Sequence, residues 1–322
     1  MVSVVIPVYN GRKTLPACLA GLQRQTHIPD EVIVVDDGST DGSARVAAQF
    51  GVTVLSQENA GPGAARNYGA RVARGDVILF IDADCAPAPD WVEAMLTAFA
   101  NPEVAGAKGE YRTHQPQLVA RFVQQEYQSR YDRMAGQSNI DFIDTYSAGY
   151  RRQLFLDAGG FDTTFLKNQD QEFSFRLAKQ GHRLVYVPQA TVSHHHDRNL
   201  GEYARRKFWI GYWKALVTRH HPSKLVRDSH TPQVLKAQMG LAALGGVLLL
   251  AGLPGCSQRV MAAGGLAWLL LVLSDFSLYV KILRRDAPVL VIAPVLVFVR
   301  AWALGLGFFV GMLYFYFRNR EQ

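Results

Sequence analysis

Four short runs rich in β-branched residues recur through the first hundred positions: VSVVIPV (2–8), EVIVVDD (31–37), VTVLS (52–56) and DVILFID (76–82). Between them lie KTLPACLAGLQRQ, STDGSARVAAQF and GPGAARNYGARVARG, whose apolar residues recur at helical spacing. Strands separated by helices pair through crossovers, and such alternation predicts a parallel sheet with helices on both faces. The nearly continuous apolar character of the strands fits a sheet buried on both sides. In open sheets of this kind ligands bind beyond the carboxyl ends of the strands. Here those ends carry Tyr9 and Asn10, Asp36 and Asp37, and Asp82 and Asp84, which are expected to converge on one crevice.

Residues 103–190 are less regular. FIDTYSAGY and HRLVYVP read as further strands, QEFSFRLAKQ as a short amphipathic helix, and 199–220 as a helix rich in aromatic and basic residues. Beyond Lys236 charges nearly vanish. Three apolar segments follow, from Met239 to Leu253, from Val260 to Ile282 with Asp275 inside, and from Pro288 to Phe317 with Pro294 and Arg300 inside. A spanning helix needs about 20 apolar residues, so three spans are the preferred reading. A hairpin bent at Pro294–Arg300 is the alternative, because a third full span would place Arg318 and Arg320 outside. Lys281, Arg284 and Arg285 lie between the second and third segments, so the positive-inside rule puts them and the α/β region in the cytoplasm. The chain thus divides into 1–198, an interfacial region at 199–236, and a membrane region at 237–322.

The net charge is +7, and much of the excess lies in Arg205, Arg206, Lys207, Lys214, Arg219, Lys224 and Arg227. A basic collar beside an apolar region suits an anionic membrane surface; no motif supports nucleic acid as a partner. Three separated cysteines, Cys18, Cys85 and Cys256, give neither a disulfide framework nor metal-ligand spacing, as in a reducing compartment. A strand beginning at Val2 is read as leaving no signal peptide ahead of it.

Several residues are chemically specific. A capped turn would account for Gly38, Ser39 and Asp41, but not for two adjacent carboxylates at a strand end; Asp36 and Asp37 are expected to hydrogen-bond a nucleobase or ribose. The glycine-rich turn before Arg66 suits a phosphate approaching backbone amides. In an extended segment Asp82 and Asp84 would face the same way, and two such charges call for a divalent cation, Mg2+ or Mn2+. Asp170 and Glu172 open a helix; Glu172 can pair with Arg176 four residues on, leaving Asp170 freer as a general base. In SHHHD (193–197), alternation puts His194 and His196 on one face, with His194 the favoured metal ligand.

Together these motifs resemble family 2 glycosyltransferases: VVIPVYN, VVDDGSTDGS, NAGPGAARNYG, ARGDVILFIDADCAPAPDWV and GGFDTTFLKNQDQEFSFRLAKQGHRLVYVP, in that order over about residues 1–197. The resemblance implies the GT-A fold, a Rossmann-like, mixed and mostly parallel sheet with flanking helices, here followed by C-terminal transmembrane helices. It implies a membrane-bound inverting enzyme, facing the cytoplasm, that uses a UDP-, GDP- or dTDP-sugar. By similarity Pro7, Tyr9, Asn10, Asp36, Asp37, Arg66 and Asp82 would line the nucleotide site. Asp84, Asp82 and His194 would hold Mg2+ or Mn2+, and Asp170 would be the base. The acceptor would be a hydroxyl of a lipid-linked or glycan molecule, with Glu172, Arg206 and Trp209 as contacts. Gln169 stands where the family often has Glu. RRKFW (205–209) lacks the Q-x-x-R-W motif of processive members, so transfer should be non-processive. A polyprenyl-phosphate sugar synthase and a non-catalytic membrane scaffold are the competing readings.

Overall fold

A computed structural model describes residues 1–225, 231–253 and 257–317, so Arg227, Cys256, Arg318 and Arg320 lie outside the described residues. The chain forms two compact units, one of residues 1–114 and 131–195, the other of residues 115–130 and 196–322.

The first unit is built on eight strands: β1 (Val2–Val8), β2 (Glu31–Asp36), β3 (Thr53–Ser56), β4 (Val77–Ile81), β5 (Cys85–Pro87), β6 (Val104–Arg112), β7 (Ser147–Arg151) and β8 (Arg183–His194). Their order in the sheet is β3-β2-β1-β4-β7-β6-β8-β5. The first four strands pair in parallel, as their helical crossovers require. β7 inserts antiparallel between β4 and β6, β8 pairs in parallel with β6, and β5 returns antiparallel on β8. The sheet is therefore mixed, as expected.

Helices α1 (Leu15–Gln23), α2 (Ser43–Ala48), α3 (Pro62–Val72) and α4 (Trp91–Phe99) flank it, and α5 (Leu118–Met134), α6 (Arg152–Asp157) and α7 (Gln169–Lys179) follow. β1 and β4 are buried along their whole length, which explains their unbroken apolar sequences. A core of Val5, Ile33, Val35, Ile78, Phe80, Tyr150, Phe155, Phe161 and Phe173 locks α3, α6 and α7 to one side of the sheet. α3 approaches that closely because residue 69 is glycine: a Cβ there would overlap Val5.

Three elements were not legible in 103–190, namely β6, α5 and the short α6. β6 reads VAGAKGEYR and buries Lys108 and Glu110 as well as its small residues, so it lacks an apolar signature. FIDTYSAGY is a strand only from Ser147 onward.

The second unit contains α8 (Leu200–His220), α9 (Gln233–Gly252), α10 (Gln258–Leu273), α11 (Phe276–Asp286) and α12 (Ala293–Phe317), with the first part of α5. Among the described residues, α9 and α12 are long and apolar enough to cross a membrane. α9 reaches that length because Gln233 to Gln238 continue the helix. The second apolar segment is not one straight span: α10 and α11 meet at 45°. α12 runs unbroken through both interruptions, so no hairpin bend occurs at Pro294–Arg300. Pro294 sits in the first turn, where its missing N–H costs nothing. Arg300 is buried and donates to Glu126 Oε1 (2.7 Å), Gln238 Oε1 (2.8 Å) and Asp275 Oδ2 (2.5 Å). α8 runs beside α12 in the same direction, with Gly211 against Leu304, Gly307 against Phe208 and Gly311 against Tyr212. The helix expected as a separate interfacial layer is thus seated in this unit's core through three glycines.

Candidate active site

The Asp82–Asp84 segment is a turn. β4 stops at Ile81, and Cys85 N donates to Asp82 O at 3.0 Å before β5 begins. The alternation argument for parallel-pointing carboxylates therefore fails, and the two diverge. Arg66 Nη2 donates to Asp82 Oδ1 at 2.5 Å, whereas Asp84 Oδ2 lies 3.2 Å from His194 Nε2. Both aspartates still line one crevice of about 510 Å³, with Pro7, Tyr9, Asn10, Asp37, Pro62 and Arg66. Strand ends β1, β2 and β4 and the start of α3 supply these groups, the placement expected for an open parallel sheet.

Around the crevice the loops are pinned by polar side chains. Asn10 takes a left-handed φ of 52°, a conformation Asn tolerates, and its Oδ1 accepts from Thr40 N at 2.9 Å. Asp37 is buried and accepts from Ala60 N and Gly61 N, both at 2.9 Å, and from Gln57 Nε2 at 2.7 Å. It thereby fixes the loop that opens α3. Asp36 is buried too, accepts from Ser39 N at 3.2 Å, and is not among the groups lining the crevice. The paired carboxylates at this strand end are thus turned to different partners.

On α7, Asp170 is half-buried in the first turn and its Oδ1 accepts from Gln171 N at 2.8 Å. Burial pushes its carboxyl above the ordinary value; Arg66 and Lys108 act against that rise, and Asp82 adds to it. Asp170 therefore shares an electrostatic environment with the crevice groups. Glu172 does not: both its oxygens accept from Arg176, at 3.0 and 2.7 Å, and Arg176 also donates to Ala158 O and Gly160 O. Its expected role as an acceptor contact gives way to a helix-to-loop brace.

His194 ends β8, stacked on Tyr111 with ring centroids 4.6 Å apart. Because the strand stops there, His196 does not share its face; it belongs to the second unit, stacking on Tyr127 and lying 3.1 Å from Gln124 Oε1 through Nε2. Arg206 and Trp209 are also in that unit. Arg206 donates to Asp197 Oδ2 at 2.6 Å, and Trp209 is partly exposed.

Ligating atoms of Asp84, Cys85 and His194 lie within 4.8 Å of one another. Burial pushes the Cys85 thiol well up, and a neutral thiol is a poor ligand. Burial would raise Asp84 as well, but the His194 hydrogen bond and charge outweigh it and hold that carboxyl below its ordinary value. An ionised carboxylate beside an imidazole fits a divalent cation of the Mn2+ type, with open positions for phosphate oxygens. Asp82, expected as a further ligand, is engaged by Arg66. Cys85 was missed in the sequence because its place opposite His194 exists only through β5–β8 pairing. Lys108 was missed as well. It is buried, ion-paired with Asp144, and 5.1 to 5.8 Å from the rings of Tyr131, Phe142 and Tyr146.

Comparison with known proteins adds four findings. The model for glycosyl transferase family 2 matches residues 3–158. The chain is 32% identical over 243 residues to a pre-mycofactocin glycosyltransferase of Mycobacterium tuberculosis, covering 69% of this chain and 48% of that protein, so it spans about half of that relative's length. It is 30% identical over 251 residues to a glucosyl-dolichyl phosphate glucuronosyltransferase of Haloferax volcanii, covering 69% of this chain and 78% of that protein. Among solved structures, a mannosyltransferase from Pyrobaculum calidifontis in complex with GDP-Man and Mn2+ superposes with a TM-score of 0.62 at 18% identity, over 97% of this chain and 87% of that one, a likeness of fold.

Proposed function

This chain belongs to glycosyl transferase family 2, and from that premise we propose that it moves a sugar from a nucleotide-diphosphate sugar to an acceptor hydroxyl, with inversion at the anomeric carbon. The observation that carries the reading is the crevice itself, where Asp82, Asp84 and Arg66 meet the strand-end loops, with Asp170 within reach of their charges. Pro7, Tyr9, Asn10 and Asp37 border the nucleoside end. Asp84 and His194 are the residues that would hold Mg2+ or Mn2+. A bound cation would neutralise charge developing on the leaving diphosphate.

Asp170 takes the proton from the acceptor hydroxyl as that oxygen attacks C1 from the face opposite the diphosphate. The raised carboxyl suits this role, since a stronger base accepts a proton more readily near neutral pH. Arg66, fixed against Asp82, supplies a preorganised positive charge beside the same reacting groups.

The acceptor is a lipid-linked or otherwise amphipathic glycan. The name of the Haloferax relative supports that class, as do α9 and α12, which would anchor the chain in a membrane with the first unit on the cytoplasmic side.

The test is nucleotide release by the purified full chain from a panel of UDP-, GDP- and dTDP-sugars with Mn2+ or Mg2+, with and without polyprenyl-linked glycans. Lipid-glycan-stimulated release supports the reading. Efficient transfer to polyprenyl phosphate, insensitive to Asp170→Asn, favours a polyprenyl-phosphate sugar synthase. Failure of every donor favours a scaffold.

A further inference from the structure

Arg66 is one of the most buried cations in the first unit, 4% exposed, and it is shared. Nη2 donates to Asp82 on one side. On the other, with the Gln169 amide turned so that its oxygen faces the donor and its nitrogen the acceptor, Nη1 donates to the side-chain carbonyl at 2.7 Å and the amide nitrogen donates to Phe165 O at 2.9 Å. Gln169 is 5% exposed, and α3 closes over it: a Cβ on Gly63 would come within 2.8 Å of the amide. The guanidinium is thus clamped between the turn after β4 and the first turn of α7, one residue before Asp170.

The charge count makes the identity of residue 169 matter. Three carboxylates, Asp82, Asp84 and Asp170, surround this end of the sheet, and Asp84 has His194. Lys108, the other cation acting on Asp170, is ion-paired with Asp144, so Arg66 serves Asp82 and Asp170 together. A carboxylate at 169, the residue the family resemblance leads one to expect, would accept the same hydrogen bond but with charge. It would form a stronger, charge-assisted pair with Arg66 and set a negative charge beside Asp170. The neutral amide fixes the guanidinium geometrically and leaves its charge to the aspartates.

We propose that Gln169 is a positioning residue which, by binding Arg66 as a neutral acceptor, holds the guanidinium in place and reserves its charge for Asp82 and Asp170, so that the residue at 169 sets how acidic a medium the enzyme tolerates. This rests on the reading of Asp170 as the base. The charged and titratable groups facing Asp170 are Arg66 on α3, Asp82 after β4, Lys108 on β6 and Tyr150 on β7. Of these, only Arg66 touches Gln169.

The experiment compares the full-length wild type with Gln169→Glu and Gln169→Met, measuring kcat and donor KM for nucleotide release across pH. In Gln169→Glu the acidic limb of kcat moves up by about 1 pH unit, as a like charge beside a base requires, with the alkaline plateau within about threefold of wild type. In Gln169→Met, which removes the hydrogen bond without adding charge, the limb stays and donor KM rises by about three- to tenfold through loss of one hydrogen bond to a charged group. An unmoved limb in an active Gln169→Glu overturns the inference, as does an equal movement in Gln169→Met. Should Gln169→Glu fail to fold, an unchanged donor KM in Gln169→Met overturns it on its own. Asp170→Asn separates the two layers. If it keeps the wild-type rate and limb, the base reading has failed; if it inactivates while Gln169→Glu leaves the limb in place, only the role of Gln169 has failed.

Discussion

His194 Nε2 lies 3.2 Å from Asp84 Oδ2, a contact between residues 110 positions apart that exists because β5 pairs with β8 and sets Cys85 opposite His194. Asp84→Asn and His194→Ala should each lower Mn2+-stimulated nucleotide release by about 100-fold, the upper end of what loss of support around a metal costs. The donor-independent fold should survive, as judged by circular dichroism. A titration of activity against Mn2+ that matches wild type in both variants would count against the assignment.

Asp170 carries a pH prediction with a definite sign. Its carboxyl is raised by burial, so the ionised, proton-accepting form is lost as pH falls through a value above the usual carboxylate range. The kcat profile should therefore show an acidic limb displaced upward from an ordinary aspartate. For stability the sign is opposite: a group with a raised folded value stabilises the fold below its unfolded value and loses that contribution as pH rises. Asp170→Asn should accordingly melt about 2 °C higher than wild type at neutral pH while losing activity.

In the second unit Glu126 is buried between Lys207 Nζ (2.8 Å) and Arg300 Nη1 (2.7 Å). Burial would raise Glu126, but the Lys207 and Arg300 charges outweigh it and hold the carboxyl far below its ordinary value. A depressed folded value means stability fully present above the unfolded carboxylate range and lost progressively as pH falls from there through the depressed folded value. Arg300→Met, which leaves Asp275 and part of Glu126 unpaired, should cost about 3–5 kcal/mol. Thermal unfolding in detergent against pH measures both effects.

Gly307 is packed against the Phe208 carbonyl, where no Cβ fits. Gly307→Val should push α8 off α12 and destabilise the second unit by about 1–3 kcal/mol or more. A melting temperature equal to wild type would show that the helices part without cost.

Much of this arrangement was legible in the sequence because local chemistry and tertiary role coincide there. The apolar runs of β1 and β4 are buried on both sides, so their composition gave the parallel sheet, and the rule about strand ends then gathered Tyr9, Asn10, Asp37, Asp82 and Asp84. The illegible parts depend on contacts made far along the chain. β6 hides in the sequence because its buried Lys108 is neutralised by Asp144, a residue in another segment. Asp82 and Asp84 were read as a parallel pair because nothing local announces that β4 stops at Ile81. Helical spacing did anticipate the Glu172–Arg176 pair, yet the same pair removes Glu172 from the acceptor role assigned to it. The second apolar segment looked continuous because the bend sits at Asp275, whose partner Arg300 lies in a different helix.

The central claim is that Asp170 removes the acceptor proton in a sugar transfer centred on the Asp82–Asp84 turn. Its most direct test is single-turnover transfer by wild type and Asp170→Asn with saturating donor, acceptor and Mn2+ at pH 7.5. Loss of a positioned general base predicts a rate lower by about 10²- to 10⁴-fold, with donor affinity unchanged. Equal transfer rates in the two proteins would contradict it.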